Sequence, residues 1–396
     1  MLYKDFGEVK LSALGFGAMR LPTLPDGSID REQTFRMVDT ALSGGVNYFD
    51  TAYPYHGGMS EIVLGEALAR HPRESFFLAS KFPGHQDLPS FDPAPIFEEQ
   101  LRKCGVDHFD FYLLHNVIER SMPVYTDPAL GILDYFLEQK RLGRIGHLGF
   151  SSHARPETLR RFLDFAGDSM EFCQIQLNYL DFTLQDAREK LDILAERGIP
   201  VWVMEPLRGG KLASLPEEAA EKLRALRPDA SPVRWAFDWV RAQEGVTVIL
   251  SGMSSEAQLA DNLAVFSEER ALAAAEEQAL LAVAEGLKNA IPCTGCRYCT
   301  EGCPMGLDIP KLLSILNEIR FNPSGALTPS MQLDALSPTE LPTACIGCGA
   351  CEAICPQTLP IPELMREFTE TLPLLPDWGR ICEERNRAAE MARRGK

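Results

Sequence analysis

Two sets of residues in this chain have the types and spacing to do chemistry, and they lie far apart in sequence. Near the C-terminus, Cys293-Thr-Gly-Cys296-Arg-Tyr-Cys299-Thr-Glu-Gly-Cys303-Pro304 is followed by Cys345-Ile-Gly-Cys348-Gly-Ala-Cys351-Glu-Ala-Ile-Cys355-Pro356. Three thiolates at three-residue steps can wrap one corner of an iron-sulfur cubane, and a fourth cysteine followed by proline leads the chain to a second cluster. Zinc sites also use CxxC pairs, but four ligands satisfy zinc and leave no use for a third close cysteine or for the proline. By the two-cluster rule, Cys293, Cys296, Cys299 and Cys355 are expected to hold one 4Fe-4S cluster, and Cys345, Cys348, Cys351 and Cys303 the other. The scattered thiols, Cys104, Cys173 and Cys382, read as core residues.

The second set is Asp50, Tyr55, Lys81 and His115, which fall at or just after the ends of apolar runs. One such residue alone is ordinarily solvated or structural; the combination is what suggests chemistry. Hydride transfer to a carbonyl builds negative charge on oxygen, which must then be protonated. A tyrosine with an ordinary pKa of about 10 is too weak an acid unless helped. Lys81 can lower the pKa of the Tyr55 phenol, Asp50 can hold the Lys81 ammonium, and His115 can donate to the developing oxyanion.

These residues need a scaffold, and residues 11–267 suggest one. Short runs rich in β-branched and aromatic residues, at 14–18, 47–50, 76–81, 109–115, 146–151, 172–176, 200–204 and 246–250, alternate with segments of helical spacing such as 31–43 and 185–197. The latter end at Gly44-Gly45 and Gly198, where glycine caps are expected. Eight βα units in this length predict an α/β fold, a (β/α)8 TIM barrel. Gly15-Phe16-Gly17 is a poor dinucleotide fingerprint, because Arg20 stands where the third glycine belongs.

The expected organisation is a barrel over 1–267, a linking helix over 268–290, a small α-helical ferredoxin-like domain over 291–372, and a C-terminal helical tail over 373–396. The long insert between the cysteine motifs has helical spacing at 309–319, and it resembles the α-helical ferredoxin domains of multi-cofactor reductases.

Residues 2–266 resemble the aldo-keto reductase family. The likeness rests on Asn47-Tyr-Phe-Asp50-Thr-Ala-Tyr-Pro-Tyr55, on Gly65-Glu-Ala-Leu68, on Gly143-Arg-Ile-Gly-His-Leu-Gly-Phe-Ser151 and on Gln174-Ile-Gln-Leu-Asn-Tyr179. The resemblance implies that Tyr55, Lys81, Asp50 and His115 are the family's catalytic tetrad. It also implies that NAD(P)H binds extended across the barrel mouth, with Ser151 and Gln174 on the carboxamide and Met204 beneath the nicotinamide. Leu250, Gly252, Gln258 and Asn262 would surround the adenosine end. Ser152 replaces a usual asparagine, Met204 a stacking aromatic ring, and Gly252 and Gln258 the Lys and Arg that clasp a 2′-phosphate. NADH is therefore expected to bind at least as well as NADPH.

The formal charge of −17 and the lack of a basic run argue against nucleic acid or anionic lipid as partner. No leader-like or membrane-spanning stretch is evident, so a cytoplasmic protein is expected. The expected substrate is a small carbonyl or alcohol, shaped by loops 82–92, 116–127 and 205–215. Nicotinamide moves two electrons and each cluster one, so direct coupling would need a flavin or a radical-tolerant substrate, and no flavin motif is evident; a redox partner protein is a further expected partner. Alternative readings are an electron-transfer subunit using its barrel as a binding scaffold, or a nicotinamide-sensing module.

Overall fold

A computed structural model of the chain describes residues 1–86, 88, 90–184, 186–287, 291–321 and 327–376. It separates into two compact units, Met1–Ala284 and Glu285–Lys396. The expected tail beyond 376, Cys382 included, and residues 87 and 89 of the 82–92 loop lie outside the described residues.

The first unit opens with a hairpin of β1 (Tyr3–Phe6) and β2 (Val9–Ser12), turned at Gly7 with φ +55°. The sequence reading did not anticipate it. Eight parallel strands then close a barrel: β3 (Leu14–Gly17), β4 (Tyr48–Asp50), β5 (Phe77–Phe82), β6 (Phe109–Leu114), β7 (Ile145–Ser152), β8 (Cys173–Gln176), β9 (Val201–Met204) and β10 (Val246–Gly252). All eight expected strands are present, shifted by a residue or two at their ends.

Helices cover the outside, as their one-sided apolar spacing requires. The expected helix over 31–43 forms as Arg31–Ser43, capped by the Asp30 side chain and ended by Gly45 at φ +88°. The 185–197 stretch forms as Ala187–Glu196 with Gly198 at φ +65°; Gln185 lies outside the described residues. Gly65 has no alternative: a Cβ there would lie 2.4 Å from the Cys104 carbonyl oxygen, where two helices meet.

The barrel interior is filled by Tyr48, Ala79, Phe111, Leu113, Phe172, Trp202, Val248 and Leu250. Phe6 of the hairpin packs against Phe111, Phe172, Trp202 and His147 at ring separations of 4.9–6.4 Å, plugging the N-terminal end. Strand side chains alternate, so two residues beyond each interior residue the next inward position reaches the mouth. That rule carries Tyr48 to Asp50, Ala79 to Lys81, Leu113 to His115, Phe172 to Gln174, Trp202 to Met204 and Leu250 to Gly252.

In the second unit, helices Ile309–Phe321, Leu327–Asp334 and Ile361–Thr371 surround a core of Leu312, Leu313, Leu316, Ile361, Met365 and Phe368. The expected 309–319 helix is therefore present. Cys299 and Cys351 are buried in that core and the other six motif cysteines lie at its edge or surface.

Candidate functional site

At the barrel mouth the Lys81 ammonium donates to Asp50 Oδ1 at 2.5 Å and to the Thr51 carbonyl at 2.7 Å. Both charged side chains are shut off from water. Burial pushes the Asp50 carboxyl above its usual range and the Lys81 ammonium below its own, while each partner opposes the shift. An isolated charge could not stay here, and the pair is what makes the site tolerable.

Tyr55 comes from the loop between Asp50 and the helix Ser60–Leu68. The turn that follows it is tight: His56, Gly57 and Gly58 all have positive φ, and the Ser60 N–H returns to the Tyr55 carbonyl. Lys81 Nζ lies 5.1 Å from the centre of the Tyr55 ring, whose edge meets the His115 ring at 5.8 Å. The four residues expected to act together are thus neighbours.

His115 is held by its backbone, with its N–H on the Phe82 carbonyl and its own carbonyl accepting from Tyr125 Oη at 2.6 Å. Burial, then His85, Lys81 and His153, drive its pKa well below the ordinary histidine value, so the ring is neutral. His85 was missed by the sequence reading. Its ring packs 4.4 Å from that of His115, and burial lowers its pKa to about 4. Its position four residues past Lys81 on the mouth side was the available signal.

Lys81 is braced from behind. The next residue back, Ser80, faces out and donates to Glu61 Oε1 at 2.6 Å, which also accepts from Gln100 at 2.6 Å; the Tyr112 hydroxyl donates to Gln100 in turn. This sealed network fixes β5 to two helices and to β6.

Ser151 and Gln174 are register partners on β7 and β8. Ser151 Oγ accepts from the Asn116 N–H at 2.8 Å, where Asn116 has φ +55°. Gln174 Nε2 reaches Met204 Sδ at 3.7 Å, but its Oε1 is buried with no partner among the described residues. Asp50 Oδ2 and His115 Nδ1 are likewise orphaned. Orphaned buried polar atoms call for a polar ligand, and an acceptor at Gln174 suits a carboxamide N–H.

The remaining expected contacts divide. Leu250 belongs to the interior packing. Gly252 leaves room for the Arg20 stem, to which a Cβ would come within 3.1 Å; Arg20 pairs with Glu205 at 3.3 Å. Gln258 caps its own helix, donating its N–H to Ser255 Oγ and accepting from Ser254 N–H at 2.7 Å. Asn262 donates to Ser251 Oγ at 2.7 Å.

In the second unit the cysteines line two recesses. One is bordered by Cys293, Cys296, Cys299 and Cys355; the other by Cys303, Cys345, Cys348 and Cys351. The fourth cysteine of each motif therefore sits with the first three of the other. Ile361 forms a wall of both recesses. Burial, then the thiols of Cys296, Cys293 and Cys355, push the Cys299 thiol far up. Four thiols gathered on each recess are a donor set that fits an iron-sulfur cluster.

The closed eight-stranded parallel barrel and the Asp-Tyr-Lys-His group gathered at its mouth define a class of protein that comparison with known proteins identifies. The aldo/keto reductase family profile matches residues 13–278, and a 4Fe-4S dicluster domain profile matches 292–359. The chain belongs to the aldo/keto reductase family and carries a C-terminal 4Fe-4S dicluster domain. It is similar to an NADH-specific methylglyoxal reductase of Escherichia coli, 25% identical over 66% of this chain and 91% of the relative. It is also similar to an L-galactose dehydrogenase of Arabidopsis thaliana, 26% identical over 71% and 93%. Among solved structures, aldo-keto reductase AKR11C1 from Bacillus halodurans superposes with a TM-score of 0.59 at 27% identity, over 72% of this chain and 96% of that one. Among the described residues, no helix is long and apolar enough to cross a membrane.

Proposed function

We propose that the barrel transfers hydride between NADH or NADPH and a small carbonyl or alcohol, and that the C-terminal unit holds two 4Fe-4S clusters on its two sets of four cysteines. The observation that carries the reading is the convergence of Tyr55, Lys81, Asp50 and His115 in one buried mouth. Bound nicotinamide would supply or accept the hydride. Tyr55 Oη gives its proton to the carbonyl oxygen, Lys81 stabilises the phenolate left behind, and Asp50 keeps the ammonium in place. Neutral His115 donates a hydrogen bond without competing for the proton. Ser151 and Gln174 orient the carboxamide, so the reacting face is presented to the mouth.

In the C-terminal unit the clusters supply one-electron chemistry. Cys355 and Cys303 cross between the motifs and tie the unit together. Reduced thiols at this density suit the cytoplasm.

The test is anaerobic purification with metal, sulfide and turnover analysis. About eight irons per chain with matching acid-labile sulfide, and NADH or NADPH oxidation with an aldehyde panel, are expected. One or two zinc ions without sulfide would overturn the cluster assignment. Absence of turnover with every aldehyde and both nicotinamides would overturn the barrel assignment.

A further inference from the structure

We infer that the second recess, bordered by Cys303, Cys345, Cys348 and Cys351, is the docking face for a soluble one-electron carrier protein whose contact surface is apolar at its centre and basic at its rim. The inference rests on the cluster reading above.

It starts from charge. Charged residues make up 24% of this chain, and the net charge is −17, yet 302–307 and 341–351 contain no Asp, Glu, Lys, Arg or His. These two segments supply most of the second recess. Each uncharged stretch is bracketed by acids: Glu301 and Asp308 on the first, Glu340 and Glu352 on the second. Glu301, Glu340 and Glu352 are exposed, while Asp308 faces Arg297 and the exposed Lys311 acts on Glu340, which leaves four acids against two bases.

The uncharged centre also carries exposed side chains. Ile346 is 64% exposed and Met305 39%, both lining the recess, and Cys348 is exposed beside them. The first recess differs: none of its four thiols is exposed, and it is lined by buried Leu313, Gln357 and Leu359. Large apolar side chains set around reactive thiols, with charge withheld from the centre and placed at the edge, have the anatomy of a protein interface. The acidic rim selects the occupant. It repels anionic lipid and acidic proteins and steers a basic-rimmed partner into place. Four cysteines beneath the patch make the partner an electron carrier.

The step is one electron and nothing else. A cluster held by Cys303, Cys345, Cys348 and Cys351 would lose one electron as the carrier gains one, or the reverse, with no bond formed and no proton moved.

The experiment uses the full-length holoprotein, reduced and freed of excess reductant, mixed in stopped flow with oxidised cytochrome c, a one-electron carrier with a basic rim. Ferricyanide, which needs no docking, serves as the small-molecule reference. The bimolecular rate with cytochrome c is expected to fall steeply as salt is added, and the double variant Glu340→Gln/Glu352→Gln to flatten that dependence. Ile346→Lys is expected to slow the cytochrome reaction by about tenfold or more without slowing ferricyanide. Leu374→Lys, the same change at an 82% exposed residue outside both recesses, is expected to stay within about twofold of the parent. Equal slowing by Leu374→Lys, an unaffected Ile346→Lys, or a salt-independent rate would overturn the docking face. If Ile346→Lys loses iron, the salt dependence of the Glu340/Glu352 variant decides alone. A parent protein without iron removes the cluster reading and this face together; iron present with no dependence on Ile346 or the rim removes the face only.

Discussion

The ammonium of Lys81 sits 2.5 Å from Asp50 Oδ1 with neither side chain open to water. Breaking such a pair from one side leaves a buried charge alone, which typically costs about 3–5 kcal/mol. Lys81→Met should therefore lose roughly that much stability in urea titration, and Asp50→Asn/Lys81→Met should regain most of it. A double variant no more stable than Lys81→Met would mean that the Thr51 carbonyl and the surrounding packing, rather than the charge pair, depend on Lys81.

Tyr55→Phe removes one hydroxyl from the mouth and little else. Positioned acid catalysis is worth about 10² to 10⁴ in rate, so carbonyl reduction should fall by that factor. Nicotinamide affinity and iron content should not change. Turnover within a few-fold of the parent would place the proton donor elsewhere and favour a binding scaffold over an enzyme.

Cys303 shares its recess with the second motif rather than with its own. Cys303→Ser should therefore perturb the electron paramagnetic resonance signal of the cluster held by Cys345, Cys348 and Cys351. A loss confined to the cluster of Cys293, Cys296 and Cys299 would contradict the crossing.

With no side chain at Gly252 and the Gln258 amide committed to its helix cap, neither site offers charge to a 2′-phosphate. Fluorescence titration should find NADH binding at least as tightly as NADPH. A clear NADPH preference would implicate Arg20, freed from Glu205.

Glu171 couples the start of β8 to β7. It accepts from Lys140 at 2.6 Å, from His147 at 2.9 Å and from the Leu148 N–H at 2.8 Å. Burial works against its charge, but these donors prevail and bring its pKa from 4.5 to about 2. A carboxyl depressed in the folded state stabilises above its unfolded pKa and loses that contribution as pH falls through the folded one. The stability gap between the parent and Glu171→Gln should thus be full above about pH 5 and close between there and pH 2. A gap independent of pH would assign the effect to packing.

The eight barrel strands were legible because each is a short run of β-branched and aromatic residues between glycine-ended helices. The mouth residues stood out by their place at or just after the ends of those runs. The β1–β2 hairpin escaped because Tyr3–Phe6 is short, charged and largely exposed, leaving no apolar period to detect. His85 escaped for another reason: its one signal was its place on the loop four residues past Lys81, and its pairing with His115 needs the folded chain. Gln258 shows a signal passed over, since Ser255 and Gln258 form an S-x-x-Q capping pattern readable from the sequence. The grouping of the cysteines followed from spacing, but the exposure of Met305, Ile346 and Cys348 around one recess did not, because exposure depends on what the neighbouring helices pack against.

With Phe6 beneath it and its interior filled by side chains, the barrel has no passage through it. A ligand at the mouth could come and go only on that one side, so of two bound there together the deeper would have to arrive first and depart last.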